Sequence, residues 1–170
     1  DNIEADDAIA YIANEVYTED KHKVQIVSTD RDFLQLVNNR ISVWSPIKKK
    51  LYTPELMREE FGIDASNYLL YRTFLGDKTD NIPGIKGVAL KSLKKYFPMV
   101  EENRHIDFKE ILEHAEDGKD RYKIYKSVVE SKDQVDLNHN LMQLKNVDIA
   151  GNLKMFIHDK VTGPVDKLNT

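Results

Sequence analysis

Three short acidic segments, at residues 4–7, 28–32 and 76–80, are the parts of this sequence best suited to chemistry. The carboxylates that they contribute are Glu4, Asp6, Asp7, Asp30, Asp32, Asp77 and Asp80. Oxygen ligands with no cysteine and no nearby histidine select a hard cation, Mg²⁺ or Mn²⁺, over zinc. Two such ions about 4 Å apart would suit phosphodiester hydrolysis, because one activates water and the other stabilises the leaving oxygen.

Each acidic segment also has a purely structural interpretation. The acids of residues 4–7 suit the first turn of a helix, where they favour the macrodipole. Asp30 would cap the exit of a strand, and Asp77 and Asp80 would bond their own backbone in a turn. Taken singly, these interpretations are favoured. Taken together, seven carboxylates with no matching basic residue beside most of them need a cation if they converge.

A glycine-rich loop follows the third acidic segment. Its apolar-Pro-Gly-apolar-x-Gly-apolar pattern contains Gly84 and Gly87, which allow a sharp turn and a close backbone approach. A helix predicted to begin at Val88 would direct its free N–H groups at an anion, with Lys86 and Lys91 beside it. The spacing favours a helix-hairpin-helix that grips a DNA backbone, and a plain helix connection is the alternative. The loop lacks the spacing of a Walker motif.

The elements that must position these residues are predicted from hydrophobic periodicity. We expect strands at 24–27, 41–44 and 50–52, and helices at 4–16, 32–37, 54–61, 65–75 and 88–97. From residue 101 onward the chain is mostly helical, with a weakly patterned tail from Gly151. The predicted buried positions there are Ile111, Leu112, Tyr122, Ile124, Tyr125, Val128 and Val129. Strands followed by helices indicate one domain of the α/β class.

Composition narrows the class of protein. With 170 residues and 41% hydrophobic side chains, the chain can bury one core. The absence of cysteine excludes a disulfide framework and suits a reducing cytoplasm. No apolar run approaches the roughly 20 residues that a membrane span needs, so no membrane partner is expected. The formal charge of −4 leaves a nucleic-acid partner open, since bound cations would neutralise the acidic segments.

The three acidic segments resemble, in order and spacing, those of 5′-nucleases. Similar proteins are the phage 5′-exonucleases, both flap endonucleases and phage ribonuclease H, and the 5′-nuclease domain of bacterial DNA polymerase I. The resemblance extends over residues 4–97 and includes Gln35-Leu36-Val37, Tyr52-Thr53-Pro54 and Phe61-Gly62. It implies that residues 1–52 are the C-terminal part of a PIN-like α/β metal-binding core. Residues 53–170 would be a helical region packed on that core, with the hairpin motif at 76–97.

The resemblance also implies residue roles. The first of two metal ions would be held by Glu4, Asp6 and Asp7, and the second by Asp30, Asp32, Asp77 and Asp80. The implied contacts with DNA are Arg31, Gly84, Lys86, Gly87 and Lys91. A surface ion pair is the alternative role for Arg31. The hairpin carbonyls would hold a K⁺ ion.

The implied activity is a metal-dependent 5′→3′ exonuclease or flap endonuclease. Its substrates would be 5′ ends or flaps of duplex DNA, or RNA primers on DNA. The family begins with an apolar-Asp-Gly strand and an arch that have no counterpart here, so we expect a fold incomplete at its N-terminus. A non-catalytic fragment that binds DNA junctions is therefore the alternative. An RNA-cleaving PIN-like toxin would explain the acids but not the hairpin. We expect a monomer in the cytoplasm of a bacterium or a phage-infected cell.

Overall fold

Residues 3–164 are described by the computed structural model, so the end of the predicted helical region, at 165–170, lies outside it. The first helix, α1 (Ala5–Tyr11), continues without a break into a π-helical turn, Ile12–Val16. The predicted helix over residues 4–16 is confirmed. It places Ala10 and Ala13 in the core, whereas Asp6 and Asp7 in its first turn are half-buried.

A three-stranded sheet occupies the next part of the chain. Its strands are β1 (Val24–Val27), β2 (Ile41–Ser45) and β3 (Lys50–Tyr52), in the order β1-β2-β3. Strand β1 pairs with β2 in parallel, and β2 pairs with β3 antiparallel. The alternate residues of β2 are buried, as the period of a strand requires. Among residues 3–164, β1 has no second neighbour, so it forms an edge on which Val27 is exposed.

Helices follow the sheet to the end of the described chain. In chain order they are α2 (Pro54–Phe61), α3 (Tyr68–Leu75), α4 (Leu90–Tyr96), α5 (Phe108–Gly118), α6 (Lys123–Glu130), α7 (Lys132–Met142) and α8 (Gly151–Thr162). Short 3-10 turns lie at Asp32–Leu36, Ala65–Asn67 and Pro98–Glu101. Helix α2 begins as predicted, because the Thr53 hydroxyl accepts the Leu56 N–H and Pro54 occupies the first turn.

The tail from Gly151, predicted to be weakly patterned, is the regular helix α8. It returns to the beginning of the chain, where the Tyr17 hydroxyl donates to the carbonyl of Val161 at 2.8 Å. The Lys154 ammonium pairs with Glu15 at 2.8 Å. These contacts with a distant segment explain why the local pattern alone did not show the helix.

One hydrophobic core joins the sheet to the helices. Its largest fully buried side chains include Phe33, Tyr52, Tyr68, Phe74 and Phe97. The predicted burial was correct at Ile111, Ile124, Tyr125 and Val128, while Leu112 and Val129 are only half-buried.

The predicted burial of Tyr122 was wrong, since this side chain is 49% exposed. Tyr122 is the residue that precedes α6, and its ring lies on the rim of the molecule against Tyr96. In the part of the chain that the structure describes, no helix is both long enough and apolar enough to cross a membrane.

Candidate metal and nucleic-acid site

The three acidic segments converge on one cavity of about 710 Å³. Six of the seven predicted carboxylates line it: Glu4, Asp6, Asp7, Asp30, Asp32 and Asp80. The seventh, Asp77, lies beside them, because Asp32, Asp77 and Asp80 offer oxygen atoms that are all within 4.8 Å of one another. The tertiary fold therefore brings together every acid that the sequence singled out.

Local backbone structure positions the first two segments. Glu4 is the N-cap of α1, and Asp6 and Asp7 lie in its first turn, so all three carboxylates belong to the same helix end. Asp30 follows β1, and its side chain accepts the backbone N–H of Asp32 at 2.8 Å. Asp30 therefore caps the turn after the strand, as the structural interpretation required, and it also lines the acidic cavity.

The third segment is a closed loop. Asp77 and Ile82 exchange two backbone hydrogen bonds, at 2.9 and 2.7 Å. The Asp77 carboxylate accepts the N–H of Thr79 at 2.7 Å and also its hydroxyl. The turn role predicted for Asp77 is therefore confirmed. Asp80, by contrast, is exposed, and its side chain forms no hydrogen bond within residues 3–164. The two acids of this loop differ in how firmly they are held.

Arg72 is the main feature of the site that the sequence reasoning missed. Its side chain is 13% exposed and donates from Nε and Nη2 to one oxygen of Asp32, at 3.1 and 2.9 Å. Nη2 also pairs with Asp77. Asp32 and Asp77 are the two exceptions to the expectation that most of these acids lack a basic neighbour. A signal existed, because Arg72 lies in the last turn of the helix that leads directly into the acidic loop.

The ionisation of the carboxylates reflects this arrangement. Burial raises the pKa of Asp6, and the neighbouring charges of Asp30, Glu4 and Asp7 raise it further. Burial also raises the pKa of Asp32, outweighing the opposite effect of Arg72. The hydrogen bonds from Thr79 are the main cause that lowers the pKa of Asp77 to about 2, and Arg72 adds to them. Repulsion therefore remains uncompensated on the α1 side of the cavity.

The composition of this cavity fits a hard metal ion. Its carboxylate oxygens come from separate elements and repel one another, and a divalent cation would relieve that repulsion. The end of α7 and the loop after it also line the cavity. The polar residues there are Asn140, Gln143 and Asp148. No local motif indicated these residues, since only the packing of α7 on α3 brings them to the cavity.

The glycine hairpin joins α3 to α4 and is packed tightly against α3. A Cβ at Gly84 would collide with the backbone carbonyl of Leu75. The Ile85 N–H donates to the Phe74 carbonyl at 2.8 Å, and the buried Asn138 amide donates to the Pro83 carbonyl at 2.8 Å. The absence of a side chain at Gly84 therefore allows the hairpin to pack closely against α3.

The far side of the hairpin is open. Gly87 has a φ of 83°, and a Cβ there would meet nothing within 4 Å. Lys86 and Lys91 flank it and are exposed. The prediction that the following helix begins at Val88 was wrong, because α4 begins at Leu90. The Val88 N–H bonds the Ile85 carbonyl instead, and the Ala89 N–H donates to the Ser92 hydroxyl.

Arg31 lies between the acidic cavity and the turn that connects β2 to β3. It lines a small cavity of about 190 Å³ together with Asp30 and Lys48. Arg31 is exposed, and within residues 3–164 it has no ion-pair partner. The alternative of a surface ion pair is not what the structure shows.

The known proteins that are similar in sequence to this chain include 5′-3′ exonucleases and flap endonucleases. Residues 1–62 match the family model for the 5′-3′ exonuclease N-terminal resolvase-like domain. A 5′-3′ exonuclease of Aquifex aeolicus is 42% identical over 97 residues, which are 55% of this chain and 33% of that protein. Flap endonuclease Xni of Pseudoalteromonas translucida is 33% identical over 149 residues, covering 85% of this chain and 58% of the relative.

Solved structures agree with this relationship at the level of the fold. The zinc-bound T5 5′-exonuclease superposes with a TM-score of 0.75 at 21% identity, over 94% of this chain and 59% of that one. A T5 flap endonuclease complex with DNA and metal ions gives the same TM-score and coverage at 19% identity. This chain spans between about a third and three fifths of the lengths of these proteins. The PIN-like fold is confirmed, and the sequence of this chain is similar to those of 5′-3′ exonucleases and flap endonucleases.

Proposed function

We propose that the acidic cavity of this chain serves as the active site of a divalent-metal-dependent 5′→3′ exonuclease or flap endonuclease. The observation that supports the proposal most strongly is the convergence of three separate acidic segments on one cavity, with the glycine hairpin following directly from the third. Helical connections alone would not require seven carboxylates to meet. The substrates would be 5′ ends or flaps of duplex DNA, or RNA primers on DNA.

Two ions, Mg²⁺ or Mn²⁺, would be held by the carboxylates in the predicted grouping: Glu4, Asp6 and Asp7 for the first, and Asp30, Asp32, Asp77 and Asp80 for the second. When bound, they would activate water and stabilise the leaving oxygen. Zinc in a T5 relative supports a divalent site and leaves the preferred ion to be measured. Arg72 would hold Asp32 and Asp77 in place before an ion arrives, because it donates to both.

The hairpin would hold the duplex next to the acidic cavity. Lys86 and Lys91 would contact phosphates, Gly87 would let the backbone approach, and Arg31 would contact a further phosphate beside the cavity. A K⁺ ion on the hairpin remains a prediction from the resemblance. Each of the carbonyls of Ile82, Pro83, Ile85 and Gly87 already accepts one hydrogen bond.

The two parts of the chain would contribute different residues to the proposed site. Residues 1–52 would supply the sheet and the first acids, and residues 53–170 the last acids and the hairpin, packed together as one domain. We propose a monomer that acts in the cytoplasm of a bacterium or a phage-infected cell. Arg72 already neutralises part of the acidic cluster. This observation favours, as the second candidate, a module that binds DNA junctions without cutting them.

One variant separates these two functions. Replacing Asp30→Asn keeps an oxygen that can accept the Asp32 N–H, so the turn is preserved while the charge is lost. We expect cleavage of a 5′-labelled flap duplex in Mg²⁺ to fall at least about 100-fold. Binding of the same duplex in EDTA should change less than about twofold. If the unaltered chain binds the flap but does not cut it in Mg²⁺ or Mn²⁺, the non-catalytic function is correct.

A further inference from the structure

A broad groove of about 860 Å³ runs between the glycine hairpin and α6. The side chains that matter for its chemistry are Lys86, Tyr96, Arg121, Tyr122, Lys123 and Lys126. Of these, the sequence indicated Lys86 as a DNA contact and Tyr122 as a buried position. Tyr96 ends α4 within the hairpin motif, whereas Arg121, Tyr122, Lys123 and Lys126 lie on the turn before α6 and on α6 itself. The groove is separate from the acidic cavity and shares no lining residue with it.

The charge of this groove is opposite to that of the molecule as a whole. Four basic side chains line it, whereas Glu130 is its one acidic lining residue. Lys126 is 3.7 Å from Glu130, but Lys86, Arg121 and Lys123 have no ion-pair partner in the described chain. In a protein with a formal charge of −4, an uncompensated basic groove attracts a polyanion.

The groove is also rigidly built. Tyr96 and Tyr122 stand with ring centroids 5.0 Å apart, and Tyr122 meets the ring of Tyr125 edge-on at 5.4 Å. The Tyr125 hydroxyl donates to the Tyr96 carbonyl at 2.9 Å, which ties α6 to the end of α4. The Arg121 N–H closes the turn onto the Gly118 carbonyl at 2.8 Å. This aromatic support fixes the position from which the basic side chains extend.

We propose that this groove is a second contact surface for the phosphate backbone of duplex DNA, continuous with the hairpin. Lys86 and Gly87 belong to both surfaces, so a backbone that docks on the hairpin continues across the groove toward Arg121, Lys123 and Lys126. The contacts available are ammonium, guanidinium and hydroxyl groups, which position a duplex without reading its bases. The inference rests on the proposed function, because it extends the binding surface of the same substrate.

The test is a triple variant, Arg121→Gln, Lys123→Gln and Lys126→Gln, which leaves both the hairpin and the acidic cavity unchanged. Its matched control is Lys21→Gln, Lys109→Gln and Lys160→Gln, which removes the same charge from exposed sites outside the groove. Dissociation constants for a 5′-flap duplex and for a single strand are measured by fluorescence anisotropy in EDTA, over a series of salt concentrations. Cleavage by the unaltered protein in Mg²⁺ is measured separately.

We expect the triple variant to bind the duplex at least about tenfold more weakly than the control at low salt. Its plot of log affinity against log salt should be shallower by about 2 to 3, since each phosphate contact contributes about 0.9. Equal affinities and slopes for the two variants would overturn the inference. A loss confined to the single strand would also overturn it, and would assign the basic side chains of the groove to single-strand binding. Absence of cleavage by the unaltered protein would instead count against the proposed function.

Discussion

The acidic cavity and the glycine hairpin are neighbours in the chain but are held together by different interactions. The cavity collects side chains from three segments, and its charges repel one another except where Arg72 intervenes. The hairpin is one continuous segment held by backbone contacts, and its basic side chains, Lys86 and Lys91, are exposed. Charge removal should therefore change the function of the cavity with little effect on folding. In the hairpin, backbone packing governs folding and exposed charge governs binding.

Removing a carboxylate from the cavity is expected to have the largest effect, and Asp80→Asn tests this in the third acidic segment. Asp80 lies within 4.8 Å of Asp32 and Asp77 but is exposed and forms no hydrogen bond of its own in the described chain. If the proposed activity is correct, the cleavage rate in Mg²⁺ should fall about 100-fold, because the proposed metal site would lose a ligand. The melting temperature in EDTA should be unchanged. An active Asp80→Asn protein would remove this residue from the metal site.

The next effect is expected for Gly84→Ala in the hairpin. The added methyl group collides with the Leu75 carbonyl, so the free energy of unfolding should fall by about 3 kcal/mol. Gly87→Ala is the matched control. It adds the same methyl group in open space and should lose only about 1 kcal/mol, from its left-handed backbone. Urea denaturation measures both, and equal losses would show that the hairpin is not tightly packed.

Arg72→Gln tests the ion pairs that connect α3, the helix before the hairpin, to the acidic cavity. Removing the guanidinium leaves Asp32 and Asp77 facing each other, largely buried, without their shared partner. We expect a loss of about 2 kcal/mol in the free energy of unfolding in EDTA. Addition of Mg²⁺ should raise the melting temperature of this variant more than that of the unaltered protein, because the ion takes over the role of Arg72. An identical rise in both proteins would contradict this compensation.

The smallest effect is expected for Lys91→Gln. Lys91 is exposed and has no ion-pair partner among residues 3–164, so its loss should leave stability unchanged. If it contacts one phosphate, the slope of log affinity against log salt for duplex DNA should fall by about 0.9. The same slope in the variant would place Lys91 outside the duplex-binding surface.

Sequence reasoning succeeded where the signal was local. Short β-rich runs predicted the three strands, and Thr53-Pro54 predicted the beginning of α2. The spacing of the acids identified candidates that the fold does bring together. It failed where the partner is distant. Helix α8 depends on contacts with the first helical segment, more than 130 residues away.

Two side-chain contacts at the site were also not predictable from the sequence, because each depends on tertiary packing. Arg72 is near Asp77 in sequence, yet its pairing with Asp32 depends on how α3 packs beside the turn after β1. Asn138, on α7, donates a hydrogen bond to the Pro83 carbonyl. No local pattern predicts a buried amide at that position. Hydrophobic periodicity predicts which helix face is buried. It does not predict which polar side chain that packing brings to a backbone carbonyl.

The most direct test of the central claim is anomalous diffraction from crystals of this protein soaked in Mn²⁺. We predict two peaks in the acidic cavity roughly 4 Å apart. One should be coordinated from the side of Glu4, Asp6 and Asp7, and the other from the side of Asp30, Asp32, Asp77 and Asp80. A cavity with no anomalous peak at a saturating concentration of Mn²⁺ would contradict the account.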